Sequence, residues 1–196
     1  MIRAFIAIDI PERVRAAISE AQARLKRAHV GVKISWAKVE NIHVTLQFLG
    51  YVEEPAVDKI RTALESVSQN HGPFELNVRG AGVFPSEHRP RVVWVGCEDT
   101  DGKLKALARA VQLAMQPLGF EPEHREFSAH LTVGRVKFPR PDDALTRALD
   151  SIKNDVFGMM RVEAIHLFES QLHPQGSIYS KLSSHNLGEH DHAAKS

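Results

Sequence analysis

A single cysteine, Cys97, in 196 residues has no partner within the chain, so an internal disulfide framework and a multi-cysteine metal site are both excluded. It follows the apolar run Val92 to Val95, where a small buried thiol is expected rather than a nucleophile. Neither sign of charge is in excess. With 25 Lys and Arg against 24 Asp and Glu, no global field draws the chain to nucleic acid or membrane, and any anion site must be a local cluster. Long apolar runs are missing as well. The N-terminus carries Ile2, Phe5, Ile6 and Ile8, but no stretch long enough to span a bilayer and no small-residue cleavage site. No membrane association is expected, and the cytoplasm is the expected location. Aromatics are sparse at 7%, and Trp36, Phe48, Phe84 and Trp94 all sit in apolar runs, which places them in the core rather than on a base-stacking surface. A hydrophobic share of 43% suffices for one compact domain or two small lobes.

Against that ordinary background one pattern occurs twice. Ile42-His43-Val44-Thr45-Leu46 and Ala129-His130-Leu131-Thr132-Val133 each set a His-x-Thr between apolar residues, in a chain with only five threonines. The surroundings repeat too. Arg3 to Ile10 is an apolar run of strand length, and Pro11 opens a segment with Val14, Ile18, Ala21 and Leu25 at helical spacing. The strand around His43 follows, then a helix over Pro55 to Val67. From Arg91 the order recurs: the run RVVWVG, a helix carrying Leu104, Leu107, Val111, Met115 and Leu118, a strand Phe127 to Val136 with His130, and a helix opened by Pro141. The histidine lies forty positions after Arg3 and thirty-nine after Arg91, which points to internal duplication. Further strand material is expected over Phe74 to Phe84, Val156 to Phe168 and Ile178 to Leu182. The expected fold is α+β: two pseudo-symmetric lobes of mostly antiparallel sheet lining a central cleft, with helices outside. Residues 1–184 form one bilobal domain. The polar stretch 185–196 has no apolar period and is expected to be a disordered tail, its His185, His190 and His192 included.

Period-two alternation puts His43, Thr45 and Gln47 on one face and Ile42, Val44, Leu46 and Phe48 on the other. The same rule groups Ser128, His130 and Thr132. Two imidazoles facing one groove suit displacement at phosphorus, one removing a proton from the attacking oxygen and the other protonating the leaving oxygen. Thr45 and Thr132 supply hydroxyls for the phosphoryl oxygens. Arg135 is the obvious cation, yet strict alternation sends it to the opposite face unless Gly134 marks a bulge or strand end. Lys137, Arg125 and His124 are weaker candidates, and His88, Arg89 and Arg91 are expected in a solvated loop. No His-x-His, no His-x3-His on a helix face and no carboxylate cluster joins the pair to make a metal site.

HVTLQFLG and HLTVGR resemble the paired signatures of the two-histidine (2H) phosphoesterases, in particular the RNA 2′,3′-cyclic phosphodiesterase family, also called 2′-5′ RNA ligases. RAFIAIDIP resembles that family's first strand, Trp36 precedes the first motif as in family members, and Glu169, Ser170, Leu172, Gly176 and Tyr179 match its ES-x-L and G-x-x-Y. Val133 and Gly134 stand where leucine and a small or apolar residue are more usual. The resemblance implies hydrolysis of RNA 2′,3′-cyclic phosphate ends, or of nucleoside 2′,3′-cyclic phosphates, to 2′-phosphomonoesters without metal or cofactor, and a monomer is the simplest expectation for a duplicated chain. It implies His43 and His130 as the catalytic pair, with Thr45, Thr132 and Arg135 on the phosphate. His43 is assigned as proton donor to O3′ and His130 as proton acceptor from water, although the symmetry of the sequence does not distinguish them. Reverse joining through a 2′-5′ bond would use the same groups. The alternative from another class is an RNA- or nucleotide-binding module that kept the cleft without catalysis.

Overall fold

The computed structural model describes residues 1–28, 30–122, 126–174 and 176–188. His124, Arg125, His190 and His192 lie outside them. Among the described residues nine strands form one antiparallel sheet: β1 (Ile2–Asp9), β2 (Ile34–Trp36), β3 (His43–Val52), β4 (Phe74–Phe84), β5 (Val92–Glu98), β6 (His130–Val136), β7 (Val156–Val162), β8 (Ala164–Gln171) and β9 (Ile178–Asn186). The strand order is β7-β4-β5-β6-β3-β1-β8-β9, with β2 pairing β6. At the centre β3 meets β6 through one pair, Val44 opposite Leu131, and both side chains are fully buried.

Among the described residues four α-helices pack against this sheet: α1 (Glu12–Arg27), α2 (Glu54–Gln69), α3 (Lys103–Met115) and α4 (Asp143–Asp150). Each forms where apolar residues recur at intervals of three and four. Val14, Ile18, Ala21 and Leu25 of α1 and Ile60, Leu64 and Val67 of α2 are buried stripes, and full burial of each large aliphatic side chain is worth about 1.5–3 kcal/mol. Asp142 starts α4 by accepting the Leu145 N–H at 2.9 Å. No helix is long and apolar enough to cross a membrane among the described residues.

The duplicated halves do not become separate lobes. The sheet's two wings are β3-β1-β8-β9 and β6-β5-β4-β7, so β4 has crossed to the second wing and β8 and β9 to the first. The helices exchange likewise: α1 and α4 pack against β7 and β4, while α2 and α3 pack against β8, β9 and β3. Each wing therefore draws on both halves, and the halves cannot part without unfolding the core.

Three sequence expectations need correction. The short strand β2 went unread, because three residues carry no period. Phe127 to Ala129 precede β6 rather than begin it. The expected tail starts too early: β9 continues through His185 to Asn186, the Leu187 side chain is buried, and Leu187 and Gly188 donate backbone N–H to Glu163 and Ser68 at 2.8 and 3.0 Å. His185 is held by Glu65 at 2.9 Å under α2. A polar sequence masked this, since the strand is tied by backbone bonds and one leucine. Leu187→Ala is expected to cost about 2–4 kcal/mol, read from the urea midpoint. An unchanged midpoint would return the boundary to Ser184.

Candidate active site

Strand alternation places the two motifs, and a shared irregularity completes them. The first seven residues of β3 and the seven of β6 have the same burial sequence: half-buried histidine, buried, half-buried threonine, then two buried in a row, one exposed, one buried. The doubled burial comes from a bulge in each strand. Opposite β1, Leu46 is skipped in the register, and opposite β5, Val133 is skipped. A bulge inverts the alternation beyond it. Hence Gln47, expected on the groove face, is buried, and Phe48, expected in the core, is exposed and meets Phe5 at 6.1 Å between centroids. The equivalent step in β6 brings Arg135 onto the histidine face, as a break at Gly134 requires. The positive charge of Arg135 is felt at His43.

The bulge in β6 is held from behind. The buried Gln22 of α1 donates to the carbonyls of Val133 and Ala37 at 2.8 and 3.0 Å, and the Ala37 N–H also donates to Val133 at 3.0 Å. A Cβ on Gly134 would lie 2.8 Å from Ile34 Cγ2 and 3.1 Å from the Trp36 ring, so only glycine lets β2 lie against this point.

With Val44 opposite Leu131, the register sets Thr132 across from His43 and Thr45 across from His130. The two histidines are diagonal neighbours, and such residues in an antiparallel pair stand about 7–8 Å apart, with their Cβ atoms somewhat closer. A gap of that order is of a size for one phosphate with its hydrogen-bonded oxygens.

Each imidazole is pinned in the same way. His43 Nδ1 lies 2.8 Å from the Asn41 carbonyl, and His130 Nδ1 lies 2.7 Å from the Ser128 carbonyl. A carbonyl only accepts, so Nδ1 carries hydrogen in both and Nε2 is left for proton exchange.

Beyond this the two sides differ. The residue paired with His43 across β1 is Asp9, whereas across β5 His130 meets Gly96. His43 stacks on Phe5 at 4.7 Å, with Tyr179 edge-on at 5.5 Å and Phe168 at 6.3 Å. Burial among these rings lowers its pKa to about 4, opposed by the Asn41 carbonyl and the Asp9 carboxylate and assisted by the charges of Arg15 and Arg135. His130 has one aromatic neighbour, Phe84, edge-on at 5.1 Å. Asp9 is ion-paired with Arg15 and lies 3.4 Å from Lys181. Arg15 also binds the Val39 carbonyl at 2.9 Å, fixing the 3₁₀ turn Val39–Asn41 that presents the Asn41 carbonyl to His43. Asn41 Nδ2 donates to the Ser177 carbonyl at 2.7 Å and so ties in the strand that carries Tyr179. A cavity of ≈ 90 Å³ opens between Asp9, Arg15, Asn41, His43, Phe168 and Tyr179. Neither motif histidine lines the wider hollow of ≈ 540 Å³ between Arg61, Glu65 and His185.

His43, Thr45, His130, Thr132 and Arg135 thus share one face. Trp36, Phe84 and Trp94 are only half-buried, and Phe84 stacks on Trp94 at 5.1 Å beside His130. His88, Arg89 and Arg91 are exposed, as expected of a loop. Cys97 is buried, which pushes its thiol up to about 12 and leaves it inert. Sequence reading passed over Phe5, Asp9, Arg15 and Asn41. Asp9 was the visible signal, a carboxylate closing an otherwise apolar strand.

Comparison with known proteins follows the same lines. The family model "LigT like Phosphoesterase" matches twice, over residues 8–94 and 95–179, once per duplicated half. The chain is a LigT-like phosphoesterase of the two-histidine class. An RNA 2′,3′-cyclic phosphodiesterase of Methanothermobacter thermautotrophicus is 39% identical over 92% of this chain and 96% of its own. The protein of that name from Archaeoglobus fulgidus is 37% identical over 92% and 98%. Among solved structures, TT0787 of Thermus thermophilus superposes with a TM-score of 0.80 at 29% identity, covering 96% of this chain and all of that one. Escherichia coli LigT with 3′-AMP shares the fold at a TM-score of 0.74 and 24% identity, covering 95% and 98%. For this phosphoesterase, Gln22→Leu is expected to lose about 1–3 kcal/mol by stripping a donor from two inward carbonyls, measured by urea denaturation. Wild-type stability would show that the bulge holds itself.

Proposed function

We propose that this phosphoesterase hydrolyses the 2′,3′-cyclic phosphate at an RNA end, or of a nucleoside, to the 2′-phosphomonoester. The observation that carries the reading is the diagonal pair of imidazoles, each with Nδ1 committed to a carbonyl and Nε2 left for proton exchange. The names of the relatives at 37–39% identity support the substrate.

In this mechanism His130 Nε2 takes a proton from water as the water oxygen bonds to phosphorus. The P–O3′ bond breaks, and O3′ takes the Nε2 proton of His43. The phosphate stays on O2′. Thr45 and Thr132 donate to the non-bridging oxygens, each beside the histidine of the other strand, and Arg135 offsets the charge that builds on them. Two imidazoles suffice for both transfers, so the reaction calls on no metal or cofactor. Run in the same direction with an RNA 5′-hydroxyl in place of water, the step joins ends through a 2′-5′ bond: O5′ loses its proton to His130 and bonds to phosphorus, the P–O3′ bond breaks, and O3′ takes the His43 proton. A single chain supplies every group named.

The surroundings of His43 act in two directions on this role. Burial opposes its imidazolium, while Asp9 and the negative charge of the bound phosphate favour it. In the free enzyme the proton on His43 is lost as pH rises through about 4, and the phosphate moves that loss upward in the complex. Loss of that proton is therefore expected to appear as an inflection of kcat/KM near pH 4, and the matching inflection of kcat well above it. A kcat/KM with no inflection near pH 4 in the wild type, or one that His43→Gln leaves in place, would contradict the role of His43.

His43→Ala and His130→Ala are each expected to cost about 10²- to 10⁴-fold in turnover of a nucleoside 2′,3′-cyclic phosphate. An aryl phosphodiester, whose leaving group needs no proton, should recover activity in His43→Ala alone. Recovery in His130→Ala alone would exchange the roles, and near-normal turnover of the cyclic substrate by either variant would sink the mechanism. Thr45→Ala and Thr132→Ala are expected to cost less, about 1–3 kcal/mol in kcat/KM.

A further inference from the structure

The cations of the cleft are unevenly committed. On the His43 side, Arg15 and Lys181 are both tied to Asp9. On the other side, Arg135 pairs with no carboxylate within 4.0 Å among the described residues, and neither do Lys33 and Lys137.

The β2–β6 ladder puts these three together. Ser35 is opposite Arg135 and Ile34 opposite Val136, and the Lys137 N–H donates to the Lys33 carbonyl at 2.9 Å, so pairing continues one step beyond the strand. Ile34 and Trp36 lie on the core side against Gly134. Alternation then sets Lys33, Ser35, Arg135 and Lys137 on the opposite face, which Arg135 shares with the histidines. All four side chains are exposed. Arg135 and Lys137 are about 7 Å apart along the strand, and Lys33 stands about 5 Å across from Lys137. Arg135 and the side-by-side pair Lys33 and Lys137 thus form two cationic levels leading away from the phosphate gap, at a spacing that suits successive phosphates of an extended chain. Phe138 comes next, 73% exposed, a ring free to stack on a base.

We infer that Lys33 and Lys137 prolong the Arg135 contact into a track for the backbone phosphates of single-stranded RNA leading up to its cyclic end. This rests on the function proposed above and deepens it: the substrate is a strand rather than a mononucleotide. On this near-neutral chain, of net charge +1, Lys33 and Lys137 supply one cation to each of two phosphates beyond the reacting one. The protein's affinity for the strand then falls with salt in proportion to those few contacts, at about 0.7 in the log–log slope for each.

The test compares a tetranucleotide ending in a 2′,3′-cyclic phosphate with a mononucleoside 2′,3′-cyclic phosphate, on the wild type and on the K33Q/K137Q variant. The wild type is expected to show a lower KM for the tetranucleotide. The variant should lose that advantage, with a rise of roughly tenfold at low salt and a salt slope shallower by about 1.4, while keeping the mononucleoside KM and kcat. Equal KM values for both substrates in the wild type, or a variant that keeps the advantage and the slope, overturns the track. Should the wild type turn over neither substrate, the proposed function fails instead. Fluorescence anisotropy of a tetranucleotide ending in a 3′-phosphate then decides the track alone: weaker, less salt-sensitive binding by K33Q/K137Q upholds it, and unchanged binding overturns it.

Discussion

A hydrogen bond from each imidazole Nδ1 to the carbonyl two residues earlier governs what this cleft can do. The acceptors are Asn41 and Ser128, and because a carbonyl offers no proton, the bond selects one tautomer and turns Nε2 outward. It also restrains each ring, so that two imidazoles on neighbouring strands keep Nε2 free for the proton transfers proposed. The rest of the architecture serves this arrangement. The buried pair Val44 and Leu131 holds the strands in the register that makes the histidines diagonal. The exchange of helices and outer strands between wings locks that register into the single core.

Duplication supplies two equal half-sites, and the chemistry needs unequal ones. The fold resolves this with the neighbours rather than the motifs. Asp9 stands across from His43 where Gly96 stands across from His130. Three aromatic rings close around His43, and one edge touches His130. After the matching bulges, β3 offers Phe48 and β6 offers Arg135. One imidazole is thereby enclosed by rings and set beside a carboxylate, and the other, half-buried with one ring at its edge, lies on the side of the cations that have no carboxylate partner among the described residues. A symmetric scaffold with an asymmetric lining gives a substrate one way to lie.

Much of this was legible in the residues. The His-x-Thr repeat, the order of elements in each half and the break at Gly134 all follow from period and composition, because strand alternation and helical stripes are local properties. What escaped was non-local. Nothing between Leu46 and Phe48 marks a bulge, so Gln47 and Phe48 were read on the wrong faces, although the glycine at the equivalent point in β6 did announce one. The crossing of β4, β8 and β9 between wings depends on which sheet edge is free, and no sequence window contains that. Leu187 was lost in a polar stretch because a strand held by backbone bonds needs little apolar sequence. Arg15 and Asn41 carry no pattern of their own in the sequence, and only the folded chain brings them to the turn that presents the carbonyl to His43.

The most direct test of the two-imidazole gap is nitrogen NMR of the histidine rings during titration with inorganic phosphate near neutral pH. The account predicts that His43 and His130 start as Nδ1–H tautomers with bare Nε2, and that both Nε2 signals shift together with one dissociation constant as a single phosphate enters. An Nε2–H tautomer at either ring in the free protein, or a shift confined to one histidine, would contradict it.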